Sequence, residues 1–282
     1  MNNKFLSMSS LLALAAILPL AACAQDGGKK AKEVEVNCPA GINHAAWDRL
    51  LKKYVDARGL VNYGGWKNNP QDRKALDDYL KQFAAKADKP AAGNEKAASL
   101  VNAYNAITIT TILNAYPVES IHKTDKPFAT KSWKIGGANI SLNDIEHGTL
   151  RPMLKYRAHS VLVCAARSCP PLQREAYATG SFAEQNAKAY RAWLGREDLN
   201  KFMPQKNKAE ISEIFKWFKG DFQGPDSVPK VLAKYGPPAA QQLTADGKQF
   251  ETSYLSYNWG LNDQGEHGRH YSKINLLFDN IF

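Results

Sequence analysis

The usual nucleotide-binding signatures are missing from this chain. It has no glycine-rich phosphate loop, no dinucleotide fingerprint and no G-x-S-x-G elbow, which removes the usual sequence grounds for a P-loop NTPase, a Rossmann enzyme or an α/β-hydrolase. It also lacks CxxC combined with HxxxH spacing, so no metal site and no other cofactor is expected. No internal repeat with a period of roughly 20–50 residues is visible, which argues against a solenoid. Acidic residues are the scarcer charge: 27 Asp and Glu stand against 37 Lys and Arg, for a formal net charge of +10. That balance can signal nucleic-acid binding, but the basic residues are spread along the chain rather than clustered, and no nucleic-acid partner is expected. Anionic headgroups or acidic glycan suit a basic exported protein better. A solvated basic surface with no partner is the simplest explanation.

Long apolar runs are scarce too. The run from Leu11 to Leu20 is too short to span a bilayer. It follows Lys4 and ends in the small pair Ala21-Ala22, the layout of a secretory signal. Cys23 comes next, and Leu20-Ala21-Ala22-Cys23 resembles a bacterial lipobox. By that resemblance Cys23 is the first mature residue and carries acyl chains, which would anchor the protein at about 0.8 kcal/mol per buried CH₂. Ala24 is not aspartate, which by resemblance to lipoprotein sorting favours the outer membrane and a periplasm-facing envelope protein. The alternative is an ordinary signal cut near the same place, with Cys23 incidental. The boundaries read as a signal over 1–22, a polar lipidated tether over 23–41 and one domain over 42–282.

Cysteine is rare, with four in the chain: Cys23, Cys38, Cys164 and Cys169. With Cys23 acylated, an odd number remains in an oxidising compartment, so at least one stays free or pairs between molecules. Cys164 and Cys169 are close enough in sequence to bridge, and Cys38 could join either. A bridged cysteine cannot be a nucleophile.

Apolar spacing at Trp47, Leu50, Leu51, Tyr54 and Val55 predicts a helix ending by Gly59, followed by a short strand to Tyr63. Leu76, Tyr79, Leu80 and Phe83 predict a second helix over 72–85. The longest apolar helix is expected over 99–116, stopping before Pro117. A short strand around 133–135 and a Gly136-Gly137 turn precede Ser141, an N-cap with Asp144 completing a variant capping box. The helix after it is expected to stop ahead of Pro152. The valine-rich run 158–164 predicts a buried strand, and 183–194 and 210–222 further helices. Helices dominate with a few strands, so the fold class is α+β, a mainly helical single domain with a small sheet.

Several positions could carry chemistry. Asn102 and Asn105 share a face of the long apolar helix. Buried amides must be hydrogen-bonded, so they either tie neighbouring loops to the helix or line a substrate pocket. His147 lies one turn before Arg151 and on the face of Asp144, as a base and its orienter would, or as a surface ion cluster. Within 159–171, strand alternation points His159 away from Cys164. Cys164 sits where the strand gives way to a loop. Cys169 precedes Pro170-Pro171, as at a helix N-terminus where a thiol is activated. Against both stands a Cys164–Cys169 disulfide. Asp221 could orient a histidine, and Trp259 could wall a pocket.

NAYNA (102–106), YPVESI (116–121), SLNDIEHGTLR (141–151), HSVLVCAARSCPPL (159–172), ISEIFKWFKGDF (211–222) and YNWGLN (257–262) together resemble the family of unknown function DUF547. That family is in turn similar to papain-like cysteine enzymes. The resemblance keeps a thiol at Cys164, while the position of Cys169 can be serine in relatives, which favours Cys164 as nucleophile. Phe218 stands where the pattern often has tyrosine. The expectation is a lipid-anchored thiol hydrolase or acyl transferase acting on amides, with Cys164 as nucleophile, His147 as base and Asp144 or Asp221 as orienter. The alternatives are an envelope lipoprotein that binds glycan, peptide or protein without catalysis, and thiol–disulfide exchange through Cys164 and Cys169.

Overall fold

The computed structural model describes residues 33–269 and 271. The signal segment, Cys23 and tether residues 23–32 lie outside the described residues. The first helices follow their apolar spacing. Helix α1 (Ala45–Tyr54) buries Trp47, Leu50, Leu51 and Tyr54. Helix α3 (Pro70–Lys81) is capped by the Asn69 side chain and buries Leu76 and Tyr79. Between them the expected strand is absent. Asn62 instead caps a short helix, α2 (Tyr63–Lys67), by accepting from the Gly65 N–H, because a polar cap beside two glycines favours a turn of helix over an extended run.

Helix α4 (Gly93–Ala115) is the centre of the domain and starts six residues earlier than expected. It is buried on every side from Lys96 to Thr110, as a helix without a polar face must be. It touches α2 and α3 on one side. The hairpin of β1 (Trp133–Ile135) and β2 (Ala138–Ile140) forms with its expected Gly-Gly turn. Ser141 and Asp144 then form the full capping box of α5 (Leu142–Ile145).

Beyond α5 the chain departs from expectation. A π-helical turn (Glu146–Leu150) runs directly into α6 (Arg151–Leu154). The helix therefore passes through Pro152, which directly follows the wide-turn bond from the Arg151 N–H to the Glu146 carbonyl, a bulge of the kind that accommodates irregularity inside a helix. Residues Lys155–Ser160 form a 3-10 turn rather than a strand. The valine run has no strand beside it: Asn105 supplies its polar partners from α4, so apolar content alone mispredicted the backbone.

Helix α7 (Phe182–Leu194) forms as its sequence suggests. The helix expected over 210–222 does not. Instead β3 (Lys201–Met203) and β4 (Lys208–Ser212) pair antiparallel, and α8 (Ile214–Trp217) is a single turn. After α9 (Val228–Tyr235) and α10 (Pro238–Thr244), β5 (Glu251–Leu255) joins β4 in parallel, giving the order β3-β4-β5. Buried Ala209 and Ile211 alternate with half-buried Lys208 and Glu210 along β4, the period of a strand.

The folded part begins upstream of Ile42, where the tether was expected to end. Val36 and Cys38 are fully buried. The Val34 and Val36 N–H groups donate to Asp144 Oδ1 (2.9 Å) and Thr149 Oγ1 (2.8 Å). Lys96 Nζ donates to Glu35 Oε1 (2.7 Å) and Asn37 Oδ1 (3.0 Å). Buried Val36 and Cys38 alternate with exposed Glu35 and Asn37, so this strap has a face to bury.

Candidate functional site

Two asparagines on α4 hold the segment that bears the cysteines. Asn105 Nδ2 donates to the Val161 carbonyl (2.9 Å) and its Oδ1 accepts from the Val163 N–H (3.0 Å). Asn102 does the same for Tyr177, with Nδ2 donating to the carbonyl (2.8 Å) and Oδ1 accepting from the N–H (3.0 Å). Both amides imitate a neighbouring strand, which leaves the tying role and not the substrate role expected as an alternative.

The segment leads to a disulfide between Cys164 and Cys169. Cys169 is followed by irregular chain, not by a helix, so no helix terminus activates it. Inside the loop Ala165 has φ +61°, a left-handed conformation that strains a residue with a Cβ. The loop is pinned to the C-terminal segment. Asn262 N–H donates to the Ala165 carbonyl (2.9 Å), Arg167 N–H to the Gly260 carbonyl (2.8 Å), and Asn258 N–H to Ser168 Oγ (2.8 Å). From that segment the Tyr257 hydroxyl reaches both sulfurs, at 3.4 Å from Cys164 Sγ and 3.2 Å from Cys169 Sγ. The Tyr257 ring lies 4.7 Å from that of Trp217 and 4.6 Å from that of Trp259, and Trp217 stacks on Trp259. Trp259 thus packs on Tyr257, the residue that reaches the sulfurs. Cys38 stays free and buried, and burial pushes its thiol up to about 11.

A second group lies on the other side of α8. Asp221 Oδ2 accepts from Arg151 Nε (2.7 Å) and sits 2.8 Å from His159 Nε2. The His159 ring stacks on Phe218, with centroids 4.2 Å apart, and the Arg151 guanidinium lies 4.6 Å from the same ring. Phe218 thus does by stacking what a hydroxyl could not. Burial opposes charge on Asp221, but hydrogen bonds from His159 and Arg151 outweigh it and hold the carboxyl far below the usual range. Burial lowers His159, against the pull of Asp221, which favours a neutral imidazole. Arg151 Nη1 donates to His147 Nδ1 (3.0 Å), since a guanidinium cannot accept. Glu146 accepts from the Tyr104 hydroxyl (3.0 Å). The π turn, a form that recurs at functional sites, sets Glu146 and His147 beside this network.

Asp144 is elsewhere employed. Its Oδ2 accepts from the Ser141 N–H and hydroxyl, and its Oδ1 from Val34. Burial alone would raise it, but these donors and the Lys131 charge hold it low. It is a capping carboxylate, Asp221 holds His159, and the carboxylate beside His147 is that of Glu146, 3.9 Å from Nδ1. The strand alternation that set His159 against Cys164 falls with the strand. Tyr257 and Trp217 were not singled out in the sequence, only their motifs were, and Phe218 was named only as a departure from the family pattern. Trp217 and Phe218 are adjacent, and α8 ends by turning one ring to the disulfide side and the other to His159.

Among the described residues no group of three His, Cys, Asp or Glu side chains stands together as a metal site. A cleft of about 240 Å³ lies apart, lined by Ile211, Val228, Phe250 and Tyr254 among others and by no candidate residue.

Fold and site together define a mainly helical α+β domain in which a disulfide-closed loop, an aromatic wall and a buried ion network meet around α8. Residues 89–194 match the model of a family described as a protein of unknown function, DUF547, so that segment is similar to this family. The matched segment carries the two asparagines, His147, Arg151, His159 and both bridged cysteines; Asp221, Tyr257 and Trp259 lie beyond it. Comparison with curated proteins and with solved structures gives no match.

Proposed function

We propose that this chain is a cell-envelope lipoprotein, held to a membrane by acyl chains on Cys23, that works by binding rather than by thiol catalysis. The observation behind the second half is the Cys164–Cys169 disulfide. Its sulfurs carry no nucleophilic electron pair of the kind thiol catalysis needs, since the thiolate is the reactive form. His147 is engaged by Arg151 and Asp144 by its capping box, so neither serves Cys164 as base and orienter. Trp217, half-buried and stacked on the buried Trp259 beside a loop braced from both ends, supplies an apolar ring on which a glycan ring or peptide side chain stacks. Thiol counting tests this. Iodoacetamide on the native mature protein is expected to leave Cys164 and Cys169 unlabelled until a reductant is added. Labelling of Cys164 without reductant would reject the binding role.

A second reading keeps an amide hydrolase or acyl transferase for the reduced protein. It is favoured by the His159–Asp221 pair and by the Tyr257 hydroxyl within reach of both sulfurs. In that case turnover of an amide substrate appears only with reductant and disappears in Cys164→Ser. Thiol–disulfide exchange is separated from both by its potential: a value below about −300 mV marks a structural bridge.

A further inference from the structure

The tip of the disulfide loop presents Arg167. One end of its guanidinium, Nη2, donates to the Asp263 carbonyl at 3.0 Å. Its Nε is buried and, among the described residues, has no hydrogen-bond partner. Leaving a charged donor unpaired away from water is unfavourable. Two more arginines stand nearby. The turn carrying Arg58 is seated on the residues just after the loop, because Gly59, at φ +79°, comes so near Pro171 that a Cβ would lie 2.6 Å from its Cα. Arg58 is 64% exposed in its side chain, and its carboxylate neighbour Asp198 is 3.8 Å away. Arg269, on the turn that follows the segment pinned to the loop, is paired with Glu266 at 2.9 Å. Burial, and then the charges of Arg269 and Arg58, work against the charge on Arg167, with Asp263 and Glu266 acting the other way. The Asp263 carboxylate is itself occupied by the Tyr116 hydroxyl at 2.9 Å. Arg167 therefore has an unused donor and two further guanidinium groups near it, a combination that suits an oxyanion.

We propose that Arg167, flanked by Arg58 and Arg269, is a binding site for a phosphate or carboxylate oxyanion at the rim of the disulfide loop. The site names a ligand class for the binding role and rests on that reading, which iodoacetamide labelling tests separately. An anionic headgroup and a soluble phosphate share this chemistry.

Calorimetric titration of the mature, oxidised protein at low salt with inorganic phosphate, acetate and glycerophosphoglycerol decides. Saturable binding is expected for at least one probe. Preference for glycerophosphoglycerol assigns the site to a lipid headgroup, and preference for phosphate or acetate to a soluble ligand. Arg167→Gln is expected to weaken binding at least about tenfold, the loss of one charge-assisted hydrogen bond. If that variant does not fold, the double variant R58Q/R269Q carries the test, since both side chains are exposed and its circular dichroism should be unchanged. No saturable binding of any probe, or undiminished affinity in R167Q or in the double variant, overturns the site.

Discussion

Asn105 shows how much one side chain can decide. It satisfies a carbonyl and an N–H two residues apart on a segment with no strand beside it, and so replaces a whole hydrogen-bonding neighbour. Removing it strands both groups in the core. Asn105→Ala is expected to lose roughly 2–5 kcal/mol in chemical denaturation, and a loss under about 1 kcal/mol would show that the segment holds itself. His159 and Asp221 carry part of the pH response, to which other lowered groups such as Asp144 and Asp198 add. All are lowered in the fold, so the unfolded chain binds more protons as pH falls, and stability drops with it. The His159 contribution is complete above its ordinary 6.5 and fades as pH falls below that value. Asp221 acts below its ordinary 3.8. Unfolding free energy is expected to be level above pH 7, to decline toward pH 5 and to decline again below pH 4. His159→Gln should flatten part of the first decline, the remainder belonging to His44, also lowered by burial. Stability that rises from pH 7 to pH 5 would reject the neutral imidazole.

Among the elements, the N-terminal strap and the π turn depend on each other. The strap crosses Gly148 so closely that a Cβ there would run into the Val34 carbonyl, and Thr149 of the same turn accepts from Val36. Gly148→Ala is expected to lift the strap. Limited proteolysis should then cut near Val34 at least several-fold faster while the rest of the domain stays resistant, and an unchanged rate would mean that the turn adjusts instead. The disulfide loop is braced differently, by backbone bonds to residues 258–262. The bridge closes a short loop, worth about 2 kcal/mol of chain entropy. Cys164→Ser/Cys169→Ser should lower the unfolding free energy by about that amount and leave the secondary structure intact. Collapse of the fold would mean that the bridge holds more than its own loop.

For the molecule as a whole, the ordered chain begins by Val34, so on the lipoprotein proposal at most about ten residues separate the acylated Cys23 from the domain. An extended chain of that length reaches roughly 35 Å, which keeps the domain close to the membrane. Cys23→Ser is expected to move the protein from the membrane fraction to the soluble envelope fraction, and persistence in the membrane would reject acylation at Cys23. No helix among the described residues is long and apolar enough to cross a membrane. On the lipoprotein proposal the anchor is acylated Cys23, and high salt separates it from adsorption through basic residues because it screens only the second.

Signals confined to a few neighbouring residues were legible before any coordinates. The stripe of α1, the apolar length of α4, the Ser141–Asp144 capping box and the choice of α+β all follow from local periodicity and capping chemistry, which depend on bonds within one or two turns. The 3-10 turn at 155–160, the strand at 208–212 and the passage through Pro152 were beyond reach, because each is chosen by partners far along the chain. Asn105 replaces a strand neighbour, and β5 supplies the ladder for β4. The same distance hid the site. Whether Cys164 is a nucleophile or half of a bridge, and whether Asp221 serves His147 or His159, depends on which side chains come within 3 or 4 Å, and only the packed structure brings residues 257 and 221 to residues 164 and 159.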